Sequence, residues 1–334
     1  MTDVASDPLH HLQQWLAQGK KAALATVVAT WGSSPRPVGS HMAVRESGDF
    51  AGSVSGGCIE GAVVDAALEA MRTGSPKLLE FGVGNEAAWE VGLACGGRVQ
   101  VFVEPVVSPD RLHMIADLRA RKQPFATVTD TASGQRALVS DTLQGALALS
   151  AAQIAEVRRR IAADQSGVME DGLFVRVYSP PARMVIVGAV HIAQALAPMA
   201  KLAGFDVAVI DPREAFVRSG DLANIHAIIE WPDDGMKIVA PDARTAVVTL
   251  THDPKLDDPA LAAALRSQAF YIGALGSRKT HASRLARLAE QGFMPADTAR
   301  IHGPVGLDIN ALTPAEIAVS IMAQVIETLR AEAS

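Results

Sequence analysis

Two cysteines, Cys58 and Cys95, stand beside paired glycines, and these are the first positions in the 334 residues where chemistry can be placed. In Gly52-Ser53-Val54-Ser55-Gly56-Gly57-Cys58-Ile59-Glu60-Gly61 an apolar strand runs into a glycine turn and then a helical pattern. The free N–H groups and the dipole at a helix N-terminus attract anions. A cysteine in the first helical turn is stabilised as a thiolate. Ser55, Gly56, Gly57, Cys58 and Glu60 are therefore candidate contacts for an anionic, thiophilic ligand. The same residues also fit a tight turn holding a small buried cysteine. Leu93-Ala94-Cys95-Gly96-Gly97 repeats the theme, since paired glycines admit a second backbone or a ligand. One shared site containing Cys58, Cys95, Gly96 and Gly97 is the expectation. Two thiols make neither a disulfide scaffold nor a four-cysteine zinc site, and nothing in the spacing demands His41 as a third ligand. Arg36, pinned between Pro35 and Pro37, is a candidate anion clamp or an ordinary surface arginine.

A second group lies further along. Val185-Ile186-Val187-Gly188-Ala189-Val190-His191 follows a strand pattern and opens a helix, the context of a dinucleotide fingerprint. Asp211 ends the next strand at a spacing close to the ~20 residues expected of a ribose-binding acid, with Arg213 just beyond. Val190 occupies the place of the glycine that lets a pyrophosphate lie against the backbone, so its side chain obstructs NAD(P). Thr249-Leu250-Thr251-His252-Asp253 and Ile272-Gly273-Ala274-Leu275-Gly276-Ser277-Arg278 end other strand patterns. Ligands of open α/β sheets bind beyond such strand ends. His191, His252 and Asp253 are thus candidates for one crevice, and Gly276-Ser277-Arg278 for a phosphate.

These groups need elements to position them. The spacing predicts a helix from Pro8, a strand over Ala22–Trp31, a hairpin over residues 41–54, a helix over Ile59–Arg72 stopped by Gly74, and strands near residues 78–81 and 98–103. Ser108-Pro109 opens a further helix, strands flank a turn near Gly134, and residues 151–163 are helical. After Tyr178-Ser179-Pro180-Pro181 the pattern changes to strands alternating with helices, which predicts a doubly wound parallel sheet. The expected fold class is α/β. An N-terminal α+β domain, 1–179, with a smaller strand–helix segment from about 108, precedes a Rossmann-like domain, 180–334.

Composition narrows the classes. Hydrophobic residues are 49% and charged residues 20%, which excludes a disordered chain. A formal charge of −6 argues against a general nucleic-acid binder. No uncharged apolar run reaches about 18 residues, so no membrane span is expected. The N-terminus lacks a basic segment followed by an apolar run, so a cytoplasmic location is expected.

Together the motifs resemble the XdhC/CoxI family, accessory proteins that mature xanthine dehydrogenase and related molybdenum hydroxylases. In the first domain the likeness rests on ATVVATWGSSPRPVGSHM, GSVSGGCIEGAVVDAA and LACGG. In the second it rests on PPARMVIVGAVHIAQALAPMAKLAGFDVAVIDPR, VVTLTHDPKLDDPAL, YIGALGSRKTHASRL and GPVGLDINALTPAEIAVSIMAQ. The resemblance implies a chaperone that binds molybdenum cofactor, a molybdopterin in its simple or dinucleotide form. It implies presentation of that cofactor to a NifS-type cysteine desulfurase and delivery to the apo-hydroxylase. Cys58 is then the candidate molybdenum contact. Val190 departs from the family's frequent GAGH. Two alternatives stay open: an NAD(P)-dependent oxidoreductase using His191 or His252 as acid/base, and a cofactor-free scaffold between desulfurase and hydroxylase. A homodimer is compatible with the composition.

Overall fold

The computed structural model describes residues 7–82, 96–106, 109–217, 222 and 225–331. Cys95 lies outside the described residues. The chain divides into two compact units, Thr2–Pro180 and Pro181–Ser334.

The N-terminal unit opens with α1 (Pro8–Ala17), capped by the Asp7 carboxylate. It continues through β1 (Ala22–Trp31), β2 (His41–Arg45), β3 (Phe50–Gly52), α2 (Glu60–Thr73), β4 (Lys77–Phe81), β5 (Arg98–Pro105) and α3 (Asp110–Ala120). Then come β6 (Phe125–Thr129), β7 (Arg136–Val139), β8 (Leu143–Gly145), α4 (Ala151–Ala162), β9 (Gly167–Val168) and β10 (Phe174–Tyr178). Two antiparallel five-stranded sheets result, ordered β3-β2-β1-β5-β4 and β8-β7-β6-β10-β9. Strand β1 is buried on both faces. Ala23, Ala25 and Val27 pack with Val63, Ala67 and Ala70 of α2. On its other face Ala22 and Leu24 join Leu12, Leu112, Phe125 and Leu138 in a core shared by α1, α3 and both sheets. That double burial explains a near-continuous apolar run where a half-exposed strand would alternate. Gly74, in the left-handed conformation, ends α2 by donating its N–H to the Ala70 carbonyl.

The C-terminal unit contains β11 (Arg183–Val187), α5 (His191–Leu202), β12 (Asp206–Ile210), α6 (Glu214–Val217), β13 (His226–Ile228), α7 (Pro232–Val239) and β14 (Thr245–Thr249). It ends with α8 (Pro254–Arg266), β15 (Tyr271–Ala274), α9 (Arg278–Glu290), α10 (Pro295–Thr298), β16 (Ile301–His302) and α11 (Pro314–Ala331). Six parallel strands run in the order β13-β12-β11-β14-β15-β16. Within the unit this is 3-2-1-4-5-6, the Rossmann order, and the strand order reverses between β11 and β14. One face is covered by α5 and α11. The other is covered by α8, with Met236 of α7 and Leu288 of α9 buried beside it. The chain is therefore α/β as its patterning predicts, with a Rossmann-like second half. Among the described residues no helix is long and apolar enough to cross a membrane.

Candidate functional site

Antiparallel pairing brings three glycine-rich loops to one end of the first sheet. Strand β1 ends there at Trp31, β3 ends there at Gly52 and β5 starts there at Arg98. Gly97 lies tight against the carbonyls of Ser33 and Trp31, and Gly56 packs against Pro35. The loop of Arg36, the turn of Cys58 and the Gly96-Gly97 pair are therefore neighbours. Arg36 is exposed, and its carbonyl accepts the Ser34 hydroxyl at 2.9 Å. The Arg98 guanidinium sits over the half-exposed Trp31 ring at 4.7 Å.

The turn before α2 corrects an expectation. Its N–H groups do not wait for an external anion; they close on Glu60. That carboxylate accepts the backbone N–H groups of Val54, Ser55, Gly56, Gly57 and Ile59 at 2.9–3.2 Å. It also accepts the hydroxyls of Ser53 at 2.7 Å and Ser55 at 2.6 Å. Gly56 and Gly57 both have positive φ, and this lets consecutive N–H groups turn inward together. Burial pushes the Glu60 carboxyl up, but the hydrogen bonds from Ser55 and Ser53 outweigh it and hold it at about 2. The Ser55 hydroxyl also accepts from the N–H groups of Cys58 and Ile59 at 3.1 Å.

A second correction follows. With these N–H groups taken by the turn, Ile59 is the N-cap and the helix starts at Glu60. Cys58 therefore sits just outside the first helical turn, not within it as its spacing suggests. Its thiol is free and the residue exposed. The chain has thus built a rigid pedestal around an internal anion, with a soft nucleophile on its outer surface.

His41 is not a metal ligand in waiting. Its Nδ1 pairs with the Thr26 hydroxyl at 3.0 Å and its Nε2 with the Tyr178 hydroxyl at 2.9 Å. Burial first, then the charges of Arg176, Arg136 and Arg119, hold it well below the usual imidazole range. Among the described residues no three His, Cys, Asp or Glu side chains group as a metal site.

In the C-terminal unit the loops after β11 and β14 flank the point of strand-order reversal. Gly188 packs on Thr251 so closely that a methyl group there would collide with its side chain. Val190 is the N-cap of α5, and no side chain caps that helix. His191 is the first helical residue and is exposed, as is His252, which adopts φ +61°. Asp253 caps α8 by accepting the Lys255 N–H at 2.9 Å. Ser277 caps α9 through the Thr280 N–H at 3.2 Å, with Arg278 exposed beside it. Gly276 and these two residues thus form an ordinary capped entry to a helix.

Asp211 also departs from expectation. It is fully buried and faces inward. Its carboxylate accepts the Ala189 N–H at 2.8 Å and the Arg213 guanidinium at 2.7 and 2.8 Å. Burial raises this carboxyl, and the bonds from Arg213 and Ala189 more than reverse the effect. Asp211 therefore ties β12 to the loop after β11 instead of standing open for a ribose hydroxyl. Sequence reasoning also missed a buried pairing of α8 with α9. Arg284 donates to the Leu275 carbonyl at 2.8 Å and lies 3.4 Å from Asp257, and Arg287 holds Asp258 with two bonds. Its signal was adjacent aspartates at 257 and 258 facing arginines spaced i, i+3.

Two family models match the chain. The one described as the XdhC Rossmann domain covers residues 184–325, and the one described as the XdhC and CoxI family covers residues 15–82. The molybdenum cofactor insertion chaperone PaoD of Escherichia coli is 31% identical over 97% of this chain and 89% of its own. A probable xanthine dehydrogenase component of Bacillus subtilis is 27% identical over 95% of this chain and 96% of its own. The crystal structure of a xanthine dehydrogenase from Bacillus halodurans superposes with a TM-score of 0.79 at 26% identity, covering 97% of this chain and 96% of that one.

Proposed function

The chain belongs to the XdhC and CoxI family, and from that premise we propose that it is a molybdenum cofactor insertion chaperone. In this reading it takes up molybdopterin-bound molybdenum, shields it, and hands it to the apo form of a molybdenum hydroxylase such as xanthine dehydrogenase. A NifS-type cysteine desulfurase, which furnishes the sulfido ligand, is the second partner, and the cytoplasm is the place of action.

One observation carries the reading at the level of residues. Cys58 is an exposed thiol on a turn locked from beneath by Glu60. A thiolate is a soft donor suited to molybdenum or to sulfur exchange. A fixed turn presents it without the ordering cost a floppy loop would add on binding. Because Glu60 already fills the N–H pocket, that turn is not where a phosphate of the cargo is held. The uncapped N-terminus of α5, at the strand-order reversal, is the remaining helix entry for a phosphate, and the Val190 side chain there works against the pyrophosphate of a nucleotide-extended cofactor. The oxidoreductase reading is the weaker one, since Asp211 is engaged by Ala189 and Arg213.

The test is metal and pterin content after anaerobic purification from cells that make the cofactor. Molybdenum is read by mass spectrometry and pterin by fluorescence after oxidation, for wild type and Cys58→Ala together. Near-stoichiometric molybdenum and pterin in wild type, lost in the variant, is the expected result. Retention by both moves the contact away from Cys58. Absence from both overturns the chaperone and favours the scaffold.

A further inference from the structure

We propose that the N-terminal unit holds a second small-molecule site, a cleft for an organic oxyanion between α3 and the β7–β8 edge of the second sheet. This inference stands apart from the cofactor reading and uses none of its residues. The cleft has a volume of about 410 Å³ and is open to solvent. That lies within the range of small-ligand pockets. Its walls include Met114 and Leu138, its rim carries the amides of Gln135 and Gln144, and Arg111 and Arg136 line it. The same two arginines also line a smaller cavity of about 20 Å³, together with Arg176, His41 and Tyr178. That space has room for about one water.

Among the described residues the charges around these spaces do not balance. Arg111 and Arg136 share one carboxylate, that of the buried Glu104. Arg111 reaches it at 3.4 Å with one terminal nitrogen, and its side chain stays 28% exposed. Arg136 is paired with it directly, yet its Nε is buried without a partner. Among the described residues Arg176 donates to the Ser166 hydroxyl and the Val177 carbonyl and lies over the Tyr178 ring, and its Nε is likewise buried and unpartnered. Asp130, at the nearby turn, spends its carboxylate on Ala132 and Ser133. Burial pulls Arg136 down to about 10 against the opposing charge of Glu104. A buried guanidinium with a spare donor is costly unless an acceptor meets it. Arg111 and Arg136, two cations on one carboxylate, both line the cleft, so a ligand oxyanion there meets the remaining positive charge, and Met114 and Leu138 take the ligand's carbon body.

The shared chemistry is an oxyanion, carboxylate or phosphate monoester, on a compact apolar body. Calorimetric titration of the full chain with phenyl phosphate, benzoate and phenol tests it. Saturable binding of one or both anions in the millimolar range or tighter, without binding of phenol, is expected. Preference for phenyl phosphate assigns a phosphate, and preference for benzoate a carboxylate. Arg111→Gln leaves the Arg136–Glu104 pair in place and weakens the anion about tenfold, the loss of one charge-assisted contact. Gln144→Glu, at an exposed rim position, weakens it several-fold by repulsion and keeps the test open if the arginine variant misfolds. No saturable binding of either anion, binding unchanged in both variants, or phenol binding as tightly as the anions overturns the proposal.

Discussion

The turn at residues 53–60 and the turn at residues 188–191 are built to the same plan and end in opposite states. Each leads from a strand through glycine into a helix, and each sets backbone N–H against a carboxylate of the same chain. In the first, five backbone N–H groups and two hydroxyls converge on Glu60, which forms no ion pair among the described residues. In the second, Asp211 takes one N–H from the loop and spends the rest of its capacity on Arg213, leaving α5 uncapped. A glycine turn before a helix therefore does not announce a ligand site. What decides is whether an acid of the same chain already occupies it. The N-terminal turn is closed and displays a thiol, and the C-terminal turn leaves its helix end without a side-chain cap behind Val190.

The largest test of this contrast is Glu60→Gln. An amide accepts fewer of these bonds and brings buried donors of its own into the cage. The expected loss is about 3 kcal/mol of stability, read by chemical denaturation of the N-terminal unit. The sign of its pH dependence follows from the depressed carboxyl. Glu60 contributes fully above its ordinary value of 4.5, and the contribution disappears as pH falls toward about 2. The gap between wild type and variant should therefore be widest near neutrality and close through that window. An unchanged midpoint at neutral pH would sink the idea that Glu60 is the turn's own anion.

Asp211→Asn is the counterpart in the C-terminal unit, and its expected cost is smaller, roughly 1–2 kcal/mol. The amide oxygen still accepts the Ala189 N–H. The partner that loses its charge contact, Arg213, is 41% exposed and can turn to water. A loss equal to that of Glu60→Gln would mean that the two turns are alike after all.

How much of this was legible in the sequence differs between the two halves. The Rossmann-like unit was readable because strand ends, helix starts and the spacing to Asp211 are local patterns with a fixed meaning. The strands at 183–187, 206–210, 245–249 and 271–274 fall within a residue or so of their apolar runs. In the N-terminal unit β8, β9 and β10 went unread, since β8 and β9 have only three and two residues and show no period, and β10 takes its main partner, β6, from far back in the chain. At the sites, residue types were legible and directions were not. Nothing local says that the carboxylate of Glu60 folds back under its own turn, or that Asp211 faces Ala189 rather than a ribose. Nor does spacing reveal that His41 meets Tyr178, 137 positions away.

Val190→Gly sharpens the comparison with the smallest change in stability. Valine is a poor N-cap and glycine a good one, so the cap improves by up to about 1 kcal/mol. Val190 is also partly buried against the core under α5, and losing that contact costs a similar amount. The two effects nearly cancel, and the melting temperature should hardly move. The function of the turn should move more. Removing the side chain bares the backbone N–H groups at an uncapped helix start, where a pyrophosphate can lie. Titration of both proteins with NADH should then show tighter binding by the glycine variant. The gain is bounded, because Asp211 stays tied to Arg213 and offers the ribose nothing. If instead the variant binds no better than wild type, Val190 is not the obstruction, and the inward turn of Asp211 alone keeps the dinucleotide out.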